Sequence, residues 1–102
     1  MQIRQGDVFL EKIDKLPDGE QTKVKPEGNR LILVRGEATG HHHSVSARRA
    51  FIVVINTEMY LRVLRETVLR HQEHGPVPIP PGDYRVTRQR EYSPSETRNV
   101  TD

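Results

Sequence analysis

The stretch Phe51-Ile52-Val53-Val54-Ile55-Asn56-Thr57-Glu58-Met59-Tyr60-Leu61-Arg62-Val63-Leu64 decides how the chain folds. Its first five residues are apolar and mostly β-branched, a composition that suits a pleated and buried strand. Asn56-Thr57-Glu58 is short and polar, and Met59 to Leu64 resumes an apolar segment. The stretch therefore predicts a β-hairpin whose first arm is a central strand. The competing expectation is a helix from Glu58 to Arg70, in which Tyr60, Leu61, Leu64 and Val68 share one face and Arg62, Arg65, Glu66 and Arg70 lie opposite.

Outward from the hairpin the strand signals recur. Val8 to Ile13 reads as a strand, and Leu31 to Val34 is an apolar run too short for a helix. Between them, Asp14 to Asn29 reads as a loop, because Pro17-Asp18-Gly19 and Pro26-Glu27-Gly28 pair a preset φ with a residue that accepts positive φ. Thr67 to His71 reads as a short strand with Leu69 inward, and parity gives His71 the same face. The segment Gly75 to Gly82 carries Pro76, Pro78, Pro80 and Pro81, which cannot donate to a ladder, so it belongs at an edge or rim. Asp83 to Glu91 alternates, with Tyr84, Val86, Arg88 and Arg90 on one face. Six to eight short strands without an internal repeat predict an all-β protein, a small barrel or sandwich. The compact domain is expected over residues 1–92, followed by a polar tail over 93–102.

A chain of 102 residues is the size of one domain. With 33% hydrophobic residues and no Trp its core is thin, and such chains often depend on a bound metal, an oligomer interface or a partner protein. Cysteine is absent, which excludes disulfides, thiolate nucleophiles and cysteine-held zinc and fits a reducing compartment. Met1 to Asp7 has no signal-peptide apolar core, and no run approaches the roughly 20 apolar residues of a membrane span, so a cytoplasmic protein with no membrane partner is expected. The net charge of +2 favours local basic patches over a global pull on nucleic acid.

The chemically loaded residues are histidines. Gly36-Glu37-Ala38-Thr39-Gly40 is a glycine-bracketed turn that leads into His41-His42-His43-Ser44-Val45. On a strand His41, His43 and Val45 share a face, and Val45 marks it as the core side, leaving His42 toward solvent. Single histidines are mostly structural or exposed. A His-x-His pair on one face and the His71-x-x-His74 pair at a turn, however, can supply three or four imidazole nitrogens to one divalent transition metal, whether zinc, iron or nickel. Glu37 and Glu73 are the nearest acids, as ligand or general base for a metal-dependent hydrolase. The same histidines permit metal-free RNA cleavage, one as base and one as acid, with Arg88 or Arg90 stabilising the phosphorane. A separate reading treats Tyr84, Arg88, Arg90 and Tyr92 as a strand that stacks bases and binds phosphates, or docks a partner protein, with the histidines structural; the bland version is a charged edge that prevents aggregation.

The spaced elements Gln5-Gly6-Asp7-Val8, Gly36-Glu37-Ala38-Thr39-Gly40-His41 with His43, His71-Gln72-Glu73-His74-Gly75-Pro76, Pro81-Gly82-Asp83-Tyr84 and Gln89-Arg90-Glu91-Tyr92 resemble a group of small bacterial and phage-type hypothetical proteins over nearly the whole chain. The resemblance implies that these turns and histidines belong to one recurring design. A looser resemblance is to cupins, whose jelly roll carries His-x-His after a glycine turn and a Pro-x-Gly element farther on; Gly36, His41, His43 and Pro80-Pro81-Gly82 follow that order. Arg85 stands where the further cupin His is expected, and no Glu follows His43 closely, so His71 and His74 would substitute from a neighbouring strand.

Overall fold

The computed structural model describes residues 1–36 and 40–88, and among these every regular element is a β-strand. The ten strands are β1 (Gln2–Gln5), β2 (Val8–Ile13), β3 (Thr22–Lys23), β4 (Arg30–Arg35), β5 (His42–Ser46), β6 (Ala50–Ile55), β7 (Glu58–Val63), β8 (Thr67–Leu69), β9 (Val77–Ile79) and β10 (Gly82–Arg88). Six form one antiparallel sheet in the order β1-β2-β10-β7-β6-β3. The pairs β4-β5 and β8-β9 make the other layer, joined where Ser44 and Arg70 exchange backbone hydrogen bonds of 3.0 and 2.9 Å. The sheets do not close into a barrel; they pack in a sandwich-like way around one core that takes Val8, Leu10, Ile52, Leu61 and Tyr84 from the large sheet and Leu31, Leu33, Val45, Leu69 and Ile79 from the small pairs. No helix among the described residues is long and apolar enough to cross a membrane.

The helix expected as an alternative over 58–70 does not form. Its helical face would bury Leu64 beside Tyr60 and Leu61, yet Leu64 is 61% exposed, whereas Tyr60 and Leu61 are both buried on opposite faces of β7. This is possible because the sheet is covered twice here. Leu61 faces the sandwich core, and Tyr60 joins Val53 and Ile55 in a second small cluster on the outer face, packed against Leu16 of the loop after β2. The same double burial explains the unbroken apolar run of β6.

The strand count exceeds six to eight because two strands lack an apolar signature. In β1, Ile3 and Gln5 face inward together, so a polar residue occupies a core position and hides the alternation; β3 is only two residues long. The Pro-rich segment supplies β9, which pairs only with β8 among the described residues. A bulge in β4 at Leu33 shifts the register against Ser44 and His43 of β5, while Leu31 and Leu33 both remain in the core.

The hairpin β6-β7 turns on Asn56 and Thr57 with φ of 51° and 66°, the two left-handed positions of a type I′ turn. A β-branched residue is ill suited to that region. Thr57→Gly is expected to stabilise the protein by about 1 kcal/mol, read as a higher urea midpoint at unchanged slope.

Candidate metal centre

The site is assembled by the tight turn between β1 and β2. Gly6 takes φ of 59°, and a Cβ built on it would stand 2.6 Å from His74 Nε2 and 3.2 Å from His43 Cε1, so the histidines pack directly on its bare backbone. On either side of Gly6, Gln5 and Asp7 turn inward and both are buried.

His43, fully buried on β5, lies between them: its Nδ1 is 2.8 Å from Gln5 Oε1 and its Nε2 is 3.1 Å from Asp7 Oδ1. The amide of Gln5 cannot be turned around, because its Nε2 donates to the carbonyls of Leu69 and Gly75, each at 2.9 Å. Its oxygen must therefore accept from His43, and this assigns the ring proton of neutral His43 to Nδ1. The Nε2 lone pair is left facing a carboxylate oxygen. The other oxygen of Asp7 accepts from Arg88 Nε at 2.7 Å, which supplies the countercharge that a fully buried carboxylate needs.

The other imidazoles gather around this pair. The ring of His71 lies 4.3 Å from that of His43, 4.6 Å from His74 and 5.4 Å from His41, centroid to centroid, and the rings of His43 and His74 lie nearly parallel at 6.0 Å. All four sequence-predicted histidines thus come together, across the β5-β8 connection. Their roles differ from the equivalence expected. His71 Nδ1 accepts from the backbone N–H groups of Glu73 and His74 at 3.0 and 3.2 Å, so its neutral ring carries the proton on Nε2 and presents a donor there. His74 Nε2 is buried without a hydrogen-bond partner among the described residues. His41 Nδ1 is 3.4 Å from the carboxylate of Glu73, whose side chain is 63% exposed; Glu73 thus stands at the rim, beside His41. Among the described residues, no group of three or more His, Asp or Glu side chains is placed so that it could hold a metal ion.

Glu37, Arg90, Tyr92 and the tail over 93–102 lie outside the described residues. Tyr84, read from the sequence as a base-stacking residue, is in the core with no exposed surface, its hydroxyl donating to Pro80 O at 2.7 Å; it fills the space between the layers and is not available for stacking. Arg88 is held on Asp7 and belongs to the histidine site. Asp7 and Gln5 are the residues that the spacing of the histidines missed. The signal was present in Gln5-Gly6-Asp7: a polar residue at the inward parity of Ile3 and a carboxylate next to an obligatory turn glycine.

Burial pushes His43 down to about 4, the neighbouring His71 adding to the effect and Asp7 opposing it. Between that value and about 6.5 the unfolded chain takes up a proton that the folded protein refuses. The contribution is thus complete above about pH 6.5 and is lost as the pH falls toward 4, to a total of about 3 kcal/mol. Urea melts of metal-free protein from pH 7 to pH 4 are expected to show this loss, and His43→Gln to flatten it.

The comparisons with known proteins bear on this site only through the family. Residues 4–89 match the model of a domain of unknown function, DUF8820, and the chain belongs to that family. The match includes the β1-β2 turn and the four candidate histidines His41, His43, His71 and His74. No curated protein and no solved structure matches the chain.

Proposed function

We propose that the protein binds one divalent transition metal, with His43 Nε2 and Asp7 Oδ1 as the central ligand pair and His74 Nε2 completing the set. The observation that carries this reading is the 3.1 Å gap between two lone pairs, one on a nitrogen whose tautomer Gln5 imposes and one on a buried carboxylate. Two such atoms repel unless a proton or a metal cation stands between or beside them, and burial makes His43 resist the proton. Ligands bound to one tetrahedral zinc at about 2.0–2.2 Å sit roughly 3.3–3.5 Å apart, so the 3.1 Å gap needs only a small opening to seat the ion. Gln5 on Nδ1 and Arg88 on Oδ2 are the outer partners that orient ligating imidazole and carboxylate. The third ligand comes from rotation of the His74 side chain, whose buried Nε2 has no competing hydrogen bond among the described residues. His-x-His after a glycine turn resembles the first cupin element, with His71 and His74, in the loop between β8 and β9, standing in for the further cupin histidine.

The roles of the remaining histidines follow from their protons. His71 offers an N–H toward the centre, suited to hold a metal-bound water or substrate oxygen, and His41 with Glu73 forms an outer acid-base pair. A metal with an open position beside these groups lowers the pKa of water toward neutrality, and this favours hydrolysis. Metal-free RNA cleavage has less support: His43 is fully buried, and Arg88, the described candidate for phosphorane stabilisation, is bonded to Asp7.

Untagged protein purified without an immobilised-metal column is expected to carry close to one equivalent of zinc, iron or nickel and to melt lower after chelation. Asp7→Asn and His43→Gln are expected to lose the metal. Gln5→Ala should weaken binding by about 10- to 100-fold, the usual range for an outer partner. His42→Ala, on the outward face, should retain it. A metal-free wild type that takes up none of the three metals in titration, with melting unmoved by chelator, would overturn the reading.

A further inference from the structure

A cluster with three arginines and one carboxylate lies on the other side of the Ser44-Arg70 connection. Arg30 at the start of β4, Ser46 at the end of β5, Arg49 in the following turn, and Glu66, Thr67 and Arg70 around β8 line a cleft of about 340 Å³. Successive residues on a strand face opposite ways, so Ser44 and Arg70 turn away from the side on which His43 and His71 meet. The cleft is therefore distinct from the histidine site.

Its three guanidiniums are not neutralised from within. Arg30 is fixed by hydrogen bonds from Nε to Ser44 Oγ at 3.1 Å and from Nη2 to Ser44 O at 3.0 Å, neutral acceptors that use two of its five N–H groups. Arg49 donates to the backbone carbonyl of Glu66 at 2.8 Å. The guanidinium of Arg70 makes no hydrogen bond or ion pair among the described residues, and neither does the exposed carboxylate of Glu66. Partial burial and, after it, the nearby charge of Arg70 lower the pKa of Arg30. Ser46 and Thr67 add hydroxyl groups to the lining.

One fixed fork of N–H donors, two further guanidiniums giving a net excess of positive charge, and hydroxyl groups in one concavity match an anion with several acceptor oxygens. A carboxylate is satisfied by one fork, whereas a phosphate group presents oxygens to several. We propose that this cleft binds a phosphate group, carried either by a small phosphorylated ligand or by the backbone of a nucleic acid. Arg30 is the preset donor. Arg49 and Arg70 close on the anion from the turn and from the end of β8.

The test is a titration of inorganic phosphate into the full-length protein at constant ionic strength, followed by amide NMR. Saturable shifts at Ser46, Thr67 and Arg70 are expected. Arg70→Ala, at an exposed position, should weaken binding by about tenfold or more. Arg49→Ala is the second variant and should act in the same direction, while Lys15→Ala, which lines a different cavity, should behave as wild type. A short single-stranded RNA then separates the sources. RNA that binds and is displaced by phosphate assigns the backbone of a nucleic acid, and phosphate binding without RNA binding assigns a small phosphorylated ligand. Absence of saturable shifts at these amides, or equal affinity in wild type and both arginine variants, would overturn the proposal.

Discussion

The hold that Gln5 and Asp7 exert on His43 is the constraint on which the rest of the site depends. Gln5 spends both amide protons on the carbonyls of Leu69 and Gly75, and its oxygen on His43, so one side chain ties β1 to the end of β8, to the loop before β9 and to β5. Asp7 adds the link from His43 to Arg88 on β10. A buried polar network of this kind stabilises a fold only if its members are satisfied, and here Nε2 of His43 and Oδ1 of Asp7 stand 3.1 Å apart at its centre.

Placing this network at one end of a sandwich-like core has structural consequences. Among the described residues, the small β4-β5 and β8-β9 pairs meet through a single exchange of backbone bonds at Ser44 and Arg70, a thin connection by comparison with the six-stranded sheet. Apolar residues from both layers, with Leu69 and Ile79 fully buried, supply the non-directional part of their adhesion. The directional part comes from Gln5 and His43. Gly6 makes the arrangement possible because any side chain there would occupy the space of His74. The same small layer presents two chemically opposite surfaces. One is rich in imidazole lone pairs and holds a carboxylate; the other holds three guanidiniums against neutral acceptors.

Much of the architecture was legible in the sequence. The β-branched run Phe51 to Ile55, the short polar turn and the resumption at Met59 identified the hairpin, and the prolines confined residues 77–79 to an edge. Parity placed His43 and Leu69 inward correctly because strands alternate whatever they pair with. It failed at Tyr84, where alternation grouped the residue with Arg88 and Arg90 but could not tell which face was covered. It also missed β1, since a buried glutamine in place of an apolar residue makes a strand look like a polar terminus.

The sequence by itself determined the all-β class, the hairpin and the identity of the histidines, because these follow from local periodicity, turn chemistry and side-chain type. Only the tertiary structure decided what each histidine can do. The proton positions on His43 and His71 are set by partners far away in the chain or by backbone groups of a turn, and Asp7 enters the site from 36 residues before His43. Tautomer, charge and burial are properties of the assembled neighbourhood, and no spacing along the chain encodes them.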